Sequence, residues 1–444
     1  MSEENKKEKQ WYLDNFESFE KNLNGEKESY THAVRKEAAA KLASVNFPTL
    51  KDEEWKYTNV SPIIKNNFMP AVSPELPVKT AKEIEEKIFC GFECHRIVFV
   101  NGIFNEELSD IKPLPAGVIL GSLRRLAKEN KELIEKHLTA EEGNAFSLLN
   151  SAYSIDGLFA YIPKGKSVEH PVQVLYLNGK EGQLSLSSPK NLIIAGEASE
   201  VNIVMNFSGA GGESYFTNAS TKVFTAKNAV VNIYKIQNEN TNAYHIERVD
   251  AVQEESSFFN HYNMTFGGAI VRNDINSALN GENCECHYYG LYLGSGKQHI
   301  DNHTFVDHAK PNCMSNELYK GILDDTSRGV FNGKIMVRPD AQKTNAYQSN
   351  KTILLSEKAV IDTKPQLEIF ADDVKCSHGA TIGHLDDTAY FYIRSRGVPA
   401  DLAKSMLIRA FANDVIESVK IPELKERLNH MIFDHLHRVE ITNQ

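Results

Sequence analysis

Residues 191–207 read NLIIAGEASEVNIVMNF, and residues 331–338 read FNGKIMVR. Both are short runs of β-branched, aromatic and aliphatic residues broken by small polar ones, the pattern of strands rather than of helices. Related segments recur along the chain: ASEVNI (198–203), NAVVNI (228–233), SSFFNH (256–261), CECHYY (284–289), NCMSNE (312–317), QKTNAY (342–347) and VKCSHG (374–379). With Asn202, Asn232, Asn260, His287, Ser315, Asn345 and Ser377 as markers, the steps are 30, 28, 27, 28, 30 and 32 residues. A near-constant period of this size signals a solenoid or propeller. Propeller blades run longer, and long helical patterns are absent between the markers. A mainly β fold with a β-solenoid core is therefore expected.

The solenoid is expected over 151–380. Residues 1–150 read as a mostly helical N-terminal domain and 381–444 as a C-terminal helical domain. Ser29 to Ala43 is rich in helix formers. CHRIVFVNGIFN (94–105) reads as two small strands around the turn pair Asn101-Gly102. Ser122 is placed to cap a helix running to Leu138. Beyond the solenoid, Asp386 and Asp387 suit a helix N-terminus, Gly397 a helix stop, and Pro399 the start of a second helix. In that second helix Leu402, Met406, Leu407, Ala410, Phe411, Val415 and Val419 recur at three- and four-residue spacing and read as one apolar face. Ile421-Pro422 separates it from a last helix.

The formal net charge is −10, which argues against a nucleic-acid binder relying on a basic face. Residues 1–10, MSEENKKEKQ, carry no apolar run of the secretory type, and no run approaches a membrane span. Six cysteines in 444 residues do not make a disulfide scaffold. A cytoplasmic protein with neither a membrane nor a nucleic-acid partner is expected.

AYIPKGKS (160–167) nearly matches a phosphate-binding loop. Ala160 stands where the first glycine belongs, and Pro163 removes a needed backbone donor. Cys284 with Cys286, Cys90 with Cys94 and His95, and Cys313 read as core residues first and metal ligands second. His299, His303 and His308, with Asp301 and Asp307, fit either a cation site or polar rungs of a solenoid face. Adjacent acids at Asp324-Asp325 and Asp372-Asp373 raise a second function class, a β-helix carbohydrate-active enzyme using paired acidic residues. Neighbours on a strand point to opposite faces, so neither pair alone makes that arrangement. Cys376 and His378 lie two apart in the last repeat and share a strand face. They fit two of the ligands of an iron or iron–sulfur fragment, or a capping turn with a buried thiol.

Three long motifs occur in order: NELYKGILDDTSRGVFNGKIMVRPDAQKTNAYQSNKTILL, LEIFADDVKCSHGATIG and FYIRSRGVPADLAKSMLIRAFANDVI. With DEEWKYT (52–58) they resemble the SufB/SufD family of iron–sulfur cluster assembly proteins of the SUF system. Gly379 stands where SufB-type chains carry Glu, and residues 348–355 lack the SufB cysteine, so the resemblance is to the SufD branch. It implies a non-enzymatic scaffold with a right-handed parallel β-helix between helical domains, in a SufBCD complex with SufB and two copies of the ATPase SufC. It implies that the C-terminal helices dock SufC, with Leu402, Leu407 and Phe411 as the contact candidates. The family's CSHGAT cysteine and histidine fall on Cys376 and His378, near the SufB contact. They are the candidate cofactor-binding and metal residues for a transient iron–sulfur cluster or iron there, and no catalytic residue is implied. No resident cofactor is expected in the isolated chain. Its last solenoid turn exposes strand edges that a partner can extend, by a two-fold or pseudo-two-fold contact. A second copy of the chain is the partner expected in isolation.

Overall fold

A computed structural model describes residues 3–23, 29–74, 93–139, 143–179, 182–209, 211 and 214–441. From Leu158 to Gly383 the chain winds as a parallel β-solenoid with two flat faces. Successive strands alternate between two sheets, so each strand pairs with the one two places on. One sheet runs through Tyr215–Thr225, Tyr244–Gln253, Ile270–Leu279, His299–His308 and Arg328–Val337 to Val360–Ile369. The other runs through Glu200–Gly209, Val230–Asn238, Phe258–Thr265, Glu285–Gly294, Met314–Leu323 and Asn345–Leu354 to Lys375–Gly383.

The repeat period comes from one corner of each turn. Gly165, Ala198, Asn228, Ser256, Asn283, Asn312 and Lys343 all adopt left-handed backbone, with φ between 52° and 68°. Each donates its N–H to a carbonyl at the same corner one turn on: Ala198 to Lys227, Asn228 to Glu255, Ser256 to Glu282 and Asn312 to Gln342, at 2.8–3.0 Å. Three of the seven are Asn, a residue that tolerates this conformation. In register, Asn202, Asn232, Asn260, His287, Asn316, Tyr347 and Ser377 stack on one another. Five sequence markers lie on that column. Ser315 and Asn345 miss it by one and two places, because the column residue lies four places after the left-handed residue of its corner, as Asn316 and Tyr347 do. Asn202, Asn232 and Asn260 form a side-chain ladder at 2.9 and 2.7 Å.

The start of the solenoid is covered. His95–Val100 and Ile103–Asp110 form an antiparallel pair around Asn101-Gly102, and the first of them extends one sheet. Helices α1 (Glu3–Lys21), α2 (Tyr30–Ser44) and α3 (Ala145–Tyr153) build an aromatic cluster from Tyr12, Phe47, Trp55, Phe146 and Tyr153, which reaches Phe216 and Ile246 of the solenoid. Ser122 caps as expected, accepting from the Arg125 N–H, but the helix runs only Leu123–Leu126 and resumes at Lys131–His137. Between them the backbone N–H and the side-chain amide of Asn130 both donate to the Leu126 carbonyl.

At the far end, α4 (Asp387–Ser395) starts on the Asp386 carboxylate and stops at Gly397, φ 86°. Helices α5 (Ala400–Glu417) and α6 (Pro422–Ile441) fold back over the outer face of the second sheet. The face of α5 expected to be single is divided. Ile408, Ala412, Val415, Ile416 and, just past its end, Val419 pack on Tyr234, Tyr262, Leu291 and Leu293, whereas Leu402 and Met406 point outward. The reason is geometric: 402 and 406 lie on the helical row facing away from the sheet.

Replacing Asn228 by Val puts a β-branched residue at φ 58°. It is expected to lower unfolding free energy by about 1–2 kcal/mol, while Asn228→Gly stays near wild type. Urea melts of the two variants check this.

Candidate functional site

Lys375–Gly383 and Val360–Ile369 close the solenoid, and each pairs on one edge only. No further turn follows, so the cross-section stays open. Val360, Ile369, Phe370 and Ile382 are exposed, Phe370 to 61%. Cys376 pairs with Ala346 and His378 with Gln348, and both of these partners are buried, whereas Tyr347 between them faces out. Cys376 and His378 therefore occupy inward-facing columns that happen to end at the surface. Cys376 is half-buried against Ile335, Val337, Ala346 and Leu367, and burial pushes its thiol above the ordinary value. His378 is exposed.

Beneath His378 its column continues into the interior. Gln348 donates from Nε2 to Glu317 Oε1 at 3.3 Å, and Thr304 donates to Glu317 Oε2 at 2.5 Å. Burial pushes the Glu317 carboxyl up to about 7 against both hydrogen bonds. Sequence reading passed over Glu317 and Gln348. Stepping back one repeat at a time from His378 in register finds them.

Further down, the interior turns charged. Lys235 lies 2.6 Å from the Glu247 carboxylate and donates to His245 and to Asn273. Burial alone would raise the Glu247 carboxyl, but Lys235 and His245 outweigh it and hold it at about 2.

The other cysteine and histidine candidates fall into structural roles. Cys284, Cys286 and Cys313 are buried in the solenoid core, and burial pushes the Cys286 thiol up to about 12. Cys94 contacts Gln173 at 3.7 Å, His95 is buried, and Cys90 lies outside the described residues. Among the described residues, no group of three or more His, Cys, Asp or Glu is placed to hold a metal ion. Residues 160–167 form a strand and a corner, with Ala160 and Ile162 in the core. Asp325 sits at a corner with φ 54° and accepts the Gly296 N–H, and Asp372 and Asp373 lie in the corner before the last strand. These acids shape turns.

The histidine run divides between faces. His308 points inward and hydrogen-bonds Ser315 at 2.9 Å. His299, Asp301 and His303 point outward, under the DEEWKYT segment. Thr58 donates to Asp301 at 2.5 Å and contacts His299 at 2.8 Å. Arg272 lies 3.7 Å from the centre of the Trp55 ring, pairs with Asp301 and Asp274, and donates to the Glu54 carbonyl. His303 lies between Asp301 and Glu54, at 3.0 and 3.4 Å. The run is a clasp that holds the N-terminal segment on the solenoid.

The SufC-contact candidates differ in placement. Leu402 is exposed and Leu407 half-buried. Phe411 rests on the sheet, with Lys320 over its ring at 4.6 Å and bonded to its carbonyl. Phe391 and Tyr392 of α4 are exposed to 74% and 57% and were not singled out in the sequence.

Comparison with known proteins agrees with this architecture. Residues 176–411 match the family model described as SUF system FeS cluster assembly, SufBD core domain, and residues 6–174 match the SufBD protein N-terminal region. The chain belongs to the SufBD family. It is 31% identical over 422 residues to an iron–sulfur cluster assembly SufBD family protein of Synechocystis, covering 92% of each chain. It is 30% identical over 390 residues to the iron–sulfur cluster assembly protein SufD of Escherichia coli, covering 87% of this chain and 89% of that one. Identity to SufD of Bacillus subtilis is 28% over 336 residues, covering 74% and 75%. The family places this SufBD chain in iron–sulfur cluster assembly. Among the described residues, no helix is long and apolar enough to cross a membrane.

The clasp gives a pH prediction. Burial and Arg272 push the His303 imidazole down, yet Asp301 and Glu54 outweigh them and its pKa lies above the ordinary 6.5. The stability from its protonated form is therefore full below about pH 6.5 and is lost as pH rises through the raised folded value. His303→Gln is expected to cost about 1.5–3 kcal/mol near pH 5.5 and less near pH 8.5, read from urea midpoints.

Proposed function

We propose that this chain is a non-enzymatic scaffold subunit that joins end to end with a SufB-type chain through its open last turn. Its C-terminal helices dock the ATPase SufC, and the assembly works in the cytoplasm. The observation that carries the reading is the bare end of the solenoid. There, two unpaired strand edges, an apolar cross-section and the inward columns of Cys376 and His378 share one surface. A second solenoid can add strands to both edges and continue both columns. When SufB is absent, the same surface accepts a second copy of this chain.

Iron and sulfide are the cargo at that junction. Neutral imidazole binds iron directly, so His378 is the first ligand or proton-handling group. Cys376 is the helper, because its raised thiol must release its proton to solvent before it can ligate a metal. Two ligands are not a site, and the partner chain supplies the others. On α4 and α5, Phe391, Tyr392, Leu402 and Met406 are outward apolar side chains, and α5 is already anchored by its other face. Movement of SufC subunits during ATP turnover, passed through these helices, rearranges the junction.

His378→Ala is expected to leave folding and SufB binding intact while lowering iron and sulfide content of the purified complex at least fivefold. A stable His378→Ala complex loaded to the wild-type level would refute its role as a ligand. Leu402→Asp with Met406→Asp alters exposed side chains only, so the melting temperature should hold, while SufC affinity should fall at least tenfold, about 1.4 kcal/mol or more. Undiminished SufC binding by this variant would move the docking surface elsewhere.

A further inference from the structure

From Ala198 onward, each solenoid corner places one inward side chain directly after its left-handed residue. In successive turns these are Ser199, Ala229, Ser257, Cys284, Cys313 and Thr344. Ser257 and Thr344 use the position in one way: the hydroxyl donates to the carbonyl three residues back, Glu254 or Ala341, at 2.7 and 2.8 Å. Cys284 reaches the Gly281 carbonyl three residues back at 3.3 Å and the Glu254 carbonyl one turn down at 3.0 Å. The Cys313 thiol reaches down one turn to the same Gly281 carbonyl, also at 3.3 Å. Two thiols from adjacent turns thus converge on one acceptor, the Gly281 carbonyl.

The backbone permits a bond between them. Residues in register on neighbouring strands lie about 4.7–4.9 Å apart, and disulfides span Cα distances of about 4.4–6.8 Å. Cys284 and Cys313 each immediately precede the register pair Glu285 and Met314. The electrostatics also divide the pair into unlike members. Hydrogen bonds from Cys313, from Ser257 and from the backbone outweigh burial and bring the Cys284 thiol down to about 7, while that of Cys313 is raised. The Ser257 hydroxyl donates to the Cys284 sulfur at 3.9 Å, which suits Cys284 to be the nucleophile. Both are fully buried, but the cover is thin: Glu282, Asn283 and Asn312, the corner residues just ahead of them, are exposed.

We infer that Cys284 and Cys313 are a redox site, which a two-electron oxidant of the peroxide class converts to a disulfide tying two turns of the solenoid together. The Cys284 thiolate attacks one peroxide oxygen, the O–O bond breaks, and the departing oxygen leaves as water. Cys284 is then a sulfenic acid. The Cys313 sulfur attacks it, the S–O bond breaks, and the second water leaves with the Cys313 proton. Two thiols have lost two electrons and two protons, and one peroxide has become two waters. A dithiol reverses the reaction by exchange.

The test uses the full-length protein, treated with hydrogen peroxide, quenched and alkylated after unfolding. Non-reducing peptide mapping is expected to find the Cys284 peptide joined to the Cys313 peptide, with the bridge lost on dithiothreitol treatment. Trypsin separates them at Lys297, and fragmentation distinguishes Cys284 from Cys286. The oxidised protein should show a higher urea midpoint than the reduced one. Cys313→Ser fits the corner, as Ser199 and Ser257 do in their own turns, so folding is retained. It should abolish the midpoint shift and leave a Cys284 sulfenic acid that dimedone traps. Recovery of both thiols unmodified while Cys94 and Cys376 oxidise would overturn the inference. So would a bridge to Cys286, or a midpoint shift that survives in Cys313→Ser.

Discussion

The left-handed corner is the constraint on which the molecule depends. At each corner one residue accepts a φ that L-residues avoid, and its N–H reaches a carbonyl in the next turn. That single bond fixes the rise from turn to turn and aligns both sheets at once. Misplacing it by one residue would turn every inward side chain outward. Asn at three of the seven corners lowers the conformational cost. Ala198, Ser256 and Lys343 show that the hydrogen bond also holds the conformation where side chain chemistry gives little help.

Once the corners set the register, interior columns become the units of organisation. Some are filled by apolar residues and stacked rings, such as Tyr176 on Phe207 at 4.5 Å. Others are polar through several turns: His261, Tyr288, Glu317, Gln348 and His378 share one column. Burying Lys235, Glu239, His245 and Glu247 is tolerable because each meets an oppositely charged or hydrogen-bonding partner within the same few turns. Such a core is held by specific partners as well as by hydrophobic burial. The column ending at His378 carries that polar character to the surface.

The sequence made the solenoid legible because its corner chemistry repeats. The spacing of Asn202, Asn232, Asn260 and His287 is the true register. It drifted at Ser315 and Asn345, where side-chain likeness picks residues one and two places short of the column. Cys376 and His378 could be placed on a common face from their spacing alone. That this face is the interior, opened by the absence of another turn, required the register with Ala346 and Gln348. The helical domains were less transparent. Periodicity found the apolar residues of α5 but could not divide those that meet the sheet from those that meet solvent, because both rows are apolar. The DEEWKYT segment was visible as a motif. Its work, holding Arg272 under Trp55 and His303 beside Glu54, joins residues more than two hundred positions apart, which no local pattern encodes.

The two ends of the solenoid are built to opposite rules. At its start, the antiparallel pair His95–Val100 and Ile103–Asp110 adds to one sheet, Ile119–Ser122 pairs antiparallel with Leu158–Ile162 in the other, and helices cover the aromatic layer beyond. An antiparallel strand interrupts the parallel series, so another solenoid turn cannot continue it in register. At its finish neither device is used, although α4, α5 and α6 follow within a few residues. Of these, α5 and α6 turn back along the outer face, where α5 buries Ile408, Ala412, Val415 and Ile416, and the final cross-section stays bare. A chain that lays α5 and α6 on its flank and leaves its end bare has been shaped around that end. Long uncovered edges invite aggregation unless a specific partner occupies them. The most exposed part of the core and the Cys376–His378 pair therefore belong to one surface, and whatever binds that surface decides what those two side chains can hold.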